Sequence, residues 1–258
     1  MTTTPPKLNV LGTGVAALNP ESALKLISGW LSEEKIGRYV SVVDVHCIMQ
    51  SRRRPEVREA YNAADACMPD GMPLTWVGRS RGRSAMSRVY GPDLMLSVLE
   101  YAAKTGRTNF FLGGAVGVAD ELKVRMERRF PGLCIVGTYT PPFRSLTDHE
   151  KTTLVNRINV LHPDLVWVGL GAPKQDLFMA EFHNRLKAKV MIGVGAAFDF
   201  HTGRIRQAPR WMMRVGLEWL WRLCMEPRRL APRYLRNNPA FLWHILLQQT
   251  GIRRYPID

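Results

Sequence analysis

The feature that most constrains this chain is an alternation. Short apolar runs rich in β-branched residues, at 39–45, 109–112, 134–136, 165–170 and 190–194, are separated by helical stretches at 55–66, from Gly113-Gly114 to Arg129, at 147–161 and at 175–186. Each run suits a strand covered on both faces and falls far short of the roughly 18 apolar residues a membrane span needs. Parallel strands need long crossovers, and a helix fills one, so this order predicts an α/β fold: a Rossmann-like, mostly parallel sheet flanked by helices. A first run, 8–11, ends in Gly12-Thr13-Gly14, and Asn19-Pro20-Glu21-Ser22 then reads as the start of a helix with Pro20 in its first position.

The pattern changes after Gly203. Residues 204–258 hold eleven arginines and no lysine against three acids, a net +8 out of the chain's formal +14, with four of the seven tryptophans. Within 209–225, Arg210, Arg214 and Arg222 recur at multiples of four beside a stripe of Trp211, Val215, Trp219 and Leu223, which reads as one basic, aromatic amphipathic helix. Pro227, Pro232 and Pro239 predict breaks beyond it, leaving two or three short helices. The expected organisation is a catalytic core over 1–203 and a basic helical appendage over 204–258. If about five of its arginines face an anionic leaflet at roughly 1 kcal/mol each, they contribute about 5 kcal/mol, enough for reversible peripheral binding. The plainer alternative is a set of helices docked on the core with their arginines in water.

Several chemistries lack their minimum parts. The polar, proline-bearing segment 1–7 has no signal-peptide character, and Cys47, Cys67, Cys134 and Cys224 are scattered, with no CxxC pair, which fits a reducing cytosol. The six histidines show no metal-ligand spacing and there is no D-x-D pair, so no metal and no cofactor is expected. Neither a GxSxG elbow, a P-loop nor an RNA-binding aromatic signature is present.

The residues that could carry chemistry lie in loops. Gly12-Thr13-Gly14-Val15-Ala16-Ala17 fits a loose G-x-G-x-x-A dinucleotide turn with Asp44 as a ribose-binding acid, yet the helix start at Asn19-Pro20 comes too late for its amides to meet a pyrophosphate. Asp70 sits in a turn bracketed by proline and glycine, where a carboxylate can be held at the mouth of a site. The loop Gly169-Leu170-Gly171-Ala172-Pro173-Lys174-Gln175-Asp176 follows an apolar strand, at the strand end where α/β proteins bind ligands. Gly113-Gly114 and the segment 193–199 offer backbone amides for phosphate or ribose.

Taken in order, Met68-Pro69-Asp70-Gly71-Met72-Pro73, Arg88-Val89-Tyr90-Gly91-Pro92-Asp93-Leu94, Phe110-Phe111-Leu112-Gly113-Gly114, Gly169-Leu170-Gly171-Ala172-Pro173-Lys174-Gln175 and Gly193-Val194-Gly195-Ala196-Ala197-Phe198-Asp199 resemble the WecG/TagA/CpsF glycosyltransferases, family 26. Arg206-Gln207-Ala208-Pro209-Arg210-Trp211, Gly216-Leu217-Glu218-Trp219 and Glu226-Pro227-Arg228-Arg229-Leu230 carry the resemblance into the tail. It implies an inverting, metal-independent transfer from a UDP-sugar donor to a sugar on a polyprenyl (undecaprenyl) diphosphate, in surface-polysaccharide synthesis at the cytoplasmic face of the bacterial plasma membrane. The family's proposed base falls on Asp70, and the resemblance nominates Lys174 and Gln175 in the nucleotide or sugar pocket and Arg222 and Arg229 over the diphosphate. Asp44, where an Asn is usual, and Asp176, where a Glu is usual, are departures that bear on sugar recognition; Asp44, Gly113 and Gly114 complete the substrate-binding set.

The expected partners are therefore the UDP-sugar, the lipid-linked acceptor and an anionic membrane surface, with no nucleic acid, and self-association into a homo-oligomer. Two other classes stay open: an NAD-dependent oxidoreductase using the Gly12 turn, and a non-catalytic basic membrane or nucleic-acid binder.

Overall fold

A computed structural model describes residues 5–257, so the polar start at 1–4 and the acid at 258 lie outside the described residues. The chain opens with β1 (Lys7–Val10) and β2 (Thr13–Ala16), followed by α1 (Pro20–Ser32), β3 (Arg38–Val43), α2 (Val45–Arg53), α3 (Pro55–Ala63) and β4 (Ala66–Pro69). Next come α4 (Met72–Ser80), α5 (Gly91–Thr105), β5 (Thr108–Gly113), α6 (Val118–Arg129), β6 (Cys134–Tyr139), α7 (Asp148–Leu161), β7 (Leu165–Gly169), α8 (Lys174–Phe182) and β8 (Val190–Gly193). Short α9 (Ala197–His201) ends the core, and the tail forms α10 (Arg210–Arg214), α11 (Glu218–Met225) and α12 (Pro227–Gln249).

Six strands form one sheet in the order β4-β3-β8-β7-β5-β6, every pair parallel. The fold is the expected Rossmann-like α/β layer structure. Successive side chains of a strand point to opposite faces, and the core divides accordingly. Phe110, Leu112, Val166, Val168 and Met191 pack with α2, α3, α7 and α8, whereas Phe111, Leu165, Trp167, Val190 and Ile192 pack with α1, α5, α6 and α9. Helix starts follow local chemistry. Asn19 caps α1 and Thr147 caps α7, each in a reciprocal capping box with the residue three positions on, Ser22 and Glu150.

The Gly12 region departs from expectation. β1 and β2 pair antiparallel with Val10 opposite Thr13, so Leu11 and Gly12, both at positive φ, are the two central residues of a tight hairpin turn. Gly14 lies inside β2, its N–H donating to Asn62 Oδ1 at 3.0 Å. A dinucleotide turn joins a strand directly to a helix, which this segment does not do, and the NAD-dependent reading loses its site.

The tail also differs. The single helix expected over 209–225 is split at Gly216, whose φ of +81° ends α10 before α11 begins. Conversely, Pro232 and Pro239 do not break α12, which runs 23 residues through both. Leu230, Asn237, Phe241 and Ile245 recur on one face of it and are all buried, and that burial offsets the missing proline hydrogen bonds. Phe241 and Ile245 join the same core cluster as α2 and α3. The end of α12 and the segment after it return to the hairpin, where the Leu11 N–H donates to Gln248 Oε1 at 3.2 Å and Asn9 Nδ2 to the Tyr255 carbonyl at 2.6 Å.

Candidate active site

The carboxyl ends of β3 and β4 carry Asp44 and Asp70. Register fixes their relation: Val43 pairs with Pro69, and the Asp70 N–H donates to the Val43 carbonyl at 2.9 Å, so the carboxylates follow neighbouring strand ends. They line an open cleft with a cavity volume of about 120 Å³. Val45, His46, Met72, Pro73 and Arg88 complete its core wall, and Gly216, Glu218, Trp219, Arg222, Tyr234, Asn237 and Asn238 form a second wall from the tail.

Arg88 organises the base candidate. Its Nε and Nη2 meet Asp70 Oδ1 at 2.9 and 2.8 Å, Nη2 also meets Glu218 Oε2 at 2.6 Å, and its guanidinium lies 4.3 Å from the Tyr90 ring centre. Asp70 Oδ2 takes no hydrogen bond from any described residue, so one carboxylate oxygen is clamped and the other is left for a ligand. Burial pushes the Asp70 carboxyl up, Arg88 pulls it down and Glu218 pushes it up again, with the result about 6. Asp70 is therefore mostly ionised at neutral pH and a far better proton acceptor than an ordinary surface aspartate.

Asp44 is held differently. Its Oδ1 accepts from the Cys47 N–H at 2.9 Å, capping α2, and its Oδ2 from Arg233 Nη2 at 2.9 Å. Burial would raise its pKa, but Arg233, His46 and the capped amide outweigh it and hold the carboxyl below the usual range. Arg222 lies with its guanidinium 6.0 Å from the Phe200 ring centre and forms no ion pair with a described residue, although burial and the opposing pull of Tyr234 and Glu218 leave its pKa raised. It is a cation on the cleft wall with its donors uncommitted.

The other nominated residues stand apart from this cleft. Gly113 and Gly114 lie at the end of β5 beside β7, and because β5 leads on to β6 while β7 leads back to β8, they stand at the sheet's topological switch point. A Cβ on Gly113 would meet the Gly169 carbonyl oxygen at 2.5 Å, and the Gly114 N–H already donates to that oxygen at 2.9 Å. These glycines permit close backbone approach, and the Gly114 amide is not free for phosphate as the sequence suggested. The Gly195 N–H is likewise taken, by Gln175 Oε1 at 2.9 Å. Gln175 is thus a buried brace between the loops after β7 and β8, while Lys174 beside it is exposed. Asp176 is fully buried, with Tyr61 Oη donating to its Oδ2 at 3.0 Å and burial raising its pKa to about 7, so it meets no sugar directly. Arg229 is exposed and paired with Glu226 outside the cleft.

Sequence reasoning missed Arg88, Glu218, His46, Arg233 and Asn237. Arg88 and Glu218 lie within quoted motifs but carry no spacing signal for an ion pair 130 residues apart. Among the described residues no His, Cys, Asp and Glu cluster could hold a metal ion.

Residues 8–255 match the model of the glycosyl transferase WecG/TagA/CpsF family. The chain belongs to this family. It is similar to the N-acetylglucosaminyldiphosphoundecaprenol N-acetyl-beta-D-mannosaminyltransferase of Bacillus spizizenii, at 30% identity over 84% of this chain and 81% of the relative. The protein of the same description from Bacillus subtilis is 27% identical over 76% and 75% of the two chains. As a WecG/TagA/CpsF member the protein is a glycosyltransferase, and the family match runs through both walls of the cleft, Asp70 and Glu218 alike.

Proposed function

We propose that the protein transfers a hexose or N-acetylhexosamine-type sugar from a UDP-sugar to a sugar on undecaprenyl diphosphate, with inversion and without a metal. The observation that carries this reading is the half-clamped carboxylate of Asp70, with Oδ1 on Arg88 and Oδ2 unengaged. An acceptor hydroxyl at Oδ2 gives up its proton as its oxygen bonds to the anomeric carbon, and the bond to UDP breaks with its electron pair leaving on the diphosphate. Arg222 is the cation suited to that developing charge. The β5–β7 switch point at Gly113 and Gly114, with Gln175 bracing the adjacent loops and Lys174 exposed beside it, suits the nucleotide; β5 lies three strand spacings, about 14 Å, from β3 and Asp44.

The relatives' acceptor, a diphosphoundecaprenol, is a membrane lipid. No described helix is long and apolar enough to cross a membrane. We assign the membrane contact to the tail, 204–258, where Trp211, Val215, Leu235, Leu242, Trp243 and Leu246 are exposed beside exposed Arg214, Arg228 and Arg236. On this reading the enzyme works peripherally on the inner face of the bacterial plasma membrane. The test is UDP release from a panel of UDP-sugars with membranes bearing lipid-linked acceptor, in EDTA, for wild type beside Asp70→Asn. Release that requires one donor and the acceptor and is lost in the variant is expected; release that EDTA stops, or that Asp70→Asn retains, overturns the mechanism.

A further inference from the structure

At the start of α2, beside Asp44, the cleft wall carries His46, whose two ring nitrogens are used unequally. Its Nδ1 lies 2.9 Å from Asn237 Nδ2. The orientation of that amide is fixed from its other end, because Asn237 Oδ1 accepts from Arg53 Nη1 at 2.9 Å and an arginine only donates. The Asn237 NH2 therefore donates to His46 Nδ1, Nδ1 is an acceptor, and the ring proton sits on Nε2. Asn237 is 3% exposed, so water does not compete for this relay. Burial, and then Arg233, push the His46 pKa down to about 4, so the ring is neutral at pH 7. Nε2 has no hydrogen-bond partner among the described residues and is not among the buried unsatisfied atoms, which leaves its N–H open to the cleft.

One turn back along α12, Arg233 meets Asp44 Oδ2 at 2.9 Å, so Arg233 and Asn237, four residues apart on one helix face, hold both ends of the Asp44-Val45-His46 turn. The turn thus presents an acceptor, the ionised Asp44, next to a neutral donor, His46. A phosphate is poorly served by that pair, since the Asp44 charge repels it and His46 brings none to offset it. A sugar hydroxyl, which donates and accepts at once, matches both partners.

We propose that His46 is a substrate-binding residue whose Nε2–H donates to a hydroxyl of the pyranose lying against Asp70, and that Asn237 and Arg53 are positioning residues that fix its tautomer. The proposal rests on the glycosyl-transfer reading of the same cleft and adds a recognition element to it.

The test has one arm independent of activity. In the full-length protein labelled with 15N-histidine, the imidazole nitrogen shifts of His46, assigned by its loss in His46→Gln, should show Nε2 protonated and Nδ1 bare at pH 7. The opposite tautomer, or a doubly protonated ring, overturns the proposal whether or not the protein turns over. In the second arm, His46→Leu should raise the KM for the sugar donor or for the lipid-linked acceptor roughly tenfold, the worth of one neutral hydrogen bond. His46→Gln, which keeps an N–H near the Nε2 position, should recover most of that loss, and the Kd for UDP alone should stay within about twofold in both variants, because UDP lacks the pyranose. An equal loss of UDP affinity, or no recovery by Gln, sinks the assignment. Failure of the glycosyl-transfer reading looks different: wild type itself releases no UDP from any donor.

Discussion

The two walls of the cleft are held by different physics. The core wall is positioned by a sheet: Asp44 and Asp70 follow paired strand ends, and their backbone cannot shift without breaking the β3–β4 ladder. The tail wall is positioned by reach. Glu218 extends to Arg88, Arg233 to Asp44 and Asn237 to His46, each a polar side-chain contact between a tail helix and the core wall. The core wall therefore supplies groups whose geometry the chemistry needs fixed, and the tail wall tunes them electrostatically. Even the tail is not uniform, since the second half of α12 buries Phe241 and Ile245 in the main core while Leu242 and Trp243 beside them are exposed.

The largest expected effect strikes the core wall. Asp70→Asn keeps the shape of the cleft but removes the proton acceptor, and kcat should fall by roughly 10²- to 10⁴-fold with the circular dichroism spectrum unchanged. A loss of less than tenfold would transfer the base to another residue and erase the division of labour between the walls. Next comes the tail's inner anchor. Phe241→Ala should cost about 3–5 kcal/mol in urea unfolding, and Leu242→Ala, one residue away but 65% exposed, within about 0.5 kcal/mol. Equal costs would show that α12 is not part of the core.

A smaller effect links the walls. The Asp70 carboxyl, with its pKa of about 6, acts as a base only when ionised, so kcat/KM should be full above that pH and lost as pH falls through it. Because Glu218 is one of the groups that raise this pKa, Glu218→Gln should move the acid limb to lower pH. An unmoved limb would mean that the tail does not reach the base electrostatically. Smallest is the surface effect: wild type should bind vesicles containing phosphatidylglycerol and release them as salt rises, and Leu242→Ser with Trp243→Ser should weaken binding without changing UDP affinity. Salt-independent binding to neutral vesicles would argue against the basic tail as the contact.

Much of the core wall was legible because period-2 and β-branched runs reveal strands, and loops at parallel strand ends are natural ligand sites. β4 escaped notice because Ala66-Cys67-Met68-Pro69 has no β-branched residue and follows directly on the helical pattern before it. The Gly12 turn looked like a nucleotide loop because a hairpin turn and a dinucleotide turn both need glycine at positive φ, and only pairing partners tell them apart. α12 was misread for the opposite reason: two prolines are strong local signals against a helix, and burial of one face, which only the folded chain reveals, overrides them. The ion pairs that hold the tail wall depend on which distant side chains meet, as with Arg233 and Asp44, 189 positions apart. Local pattern carries no such information.

The return of the chain end to the first hairpin, through Tyr255 on Asn9 and Gln248 on Leu11, has a consequence for how the tail can be lost. A wall fastened only at Gly203 would fall away after one proteolytic cut. This one is buckled at both ends, so a single nick between α9 and α11 leaves the far end seated by Phe241, Ile245 and the hairpin, and the two fragments should stay together as a complex until denatured.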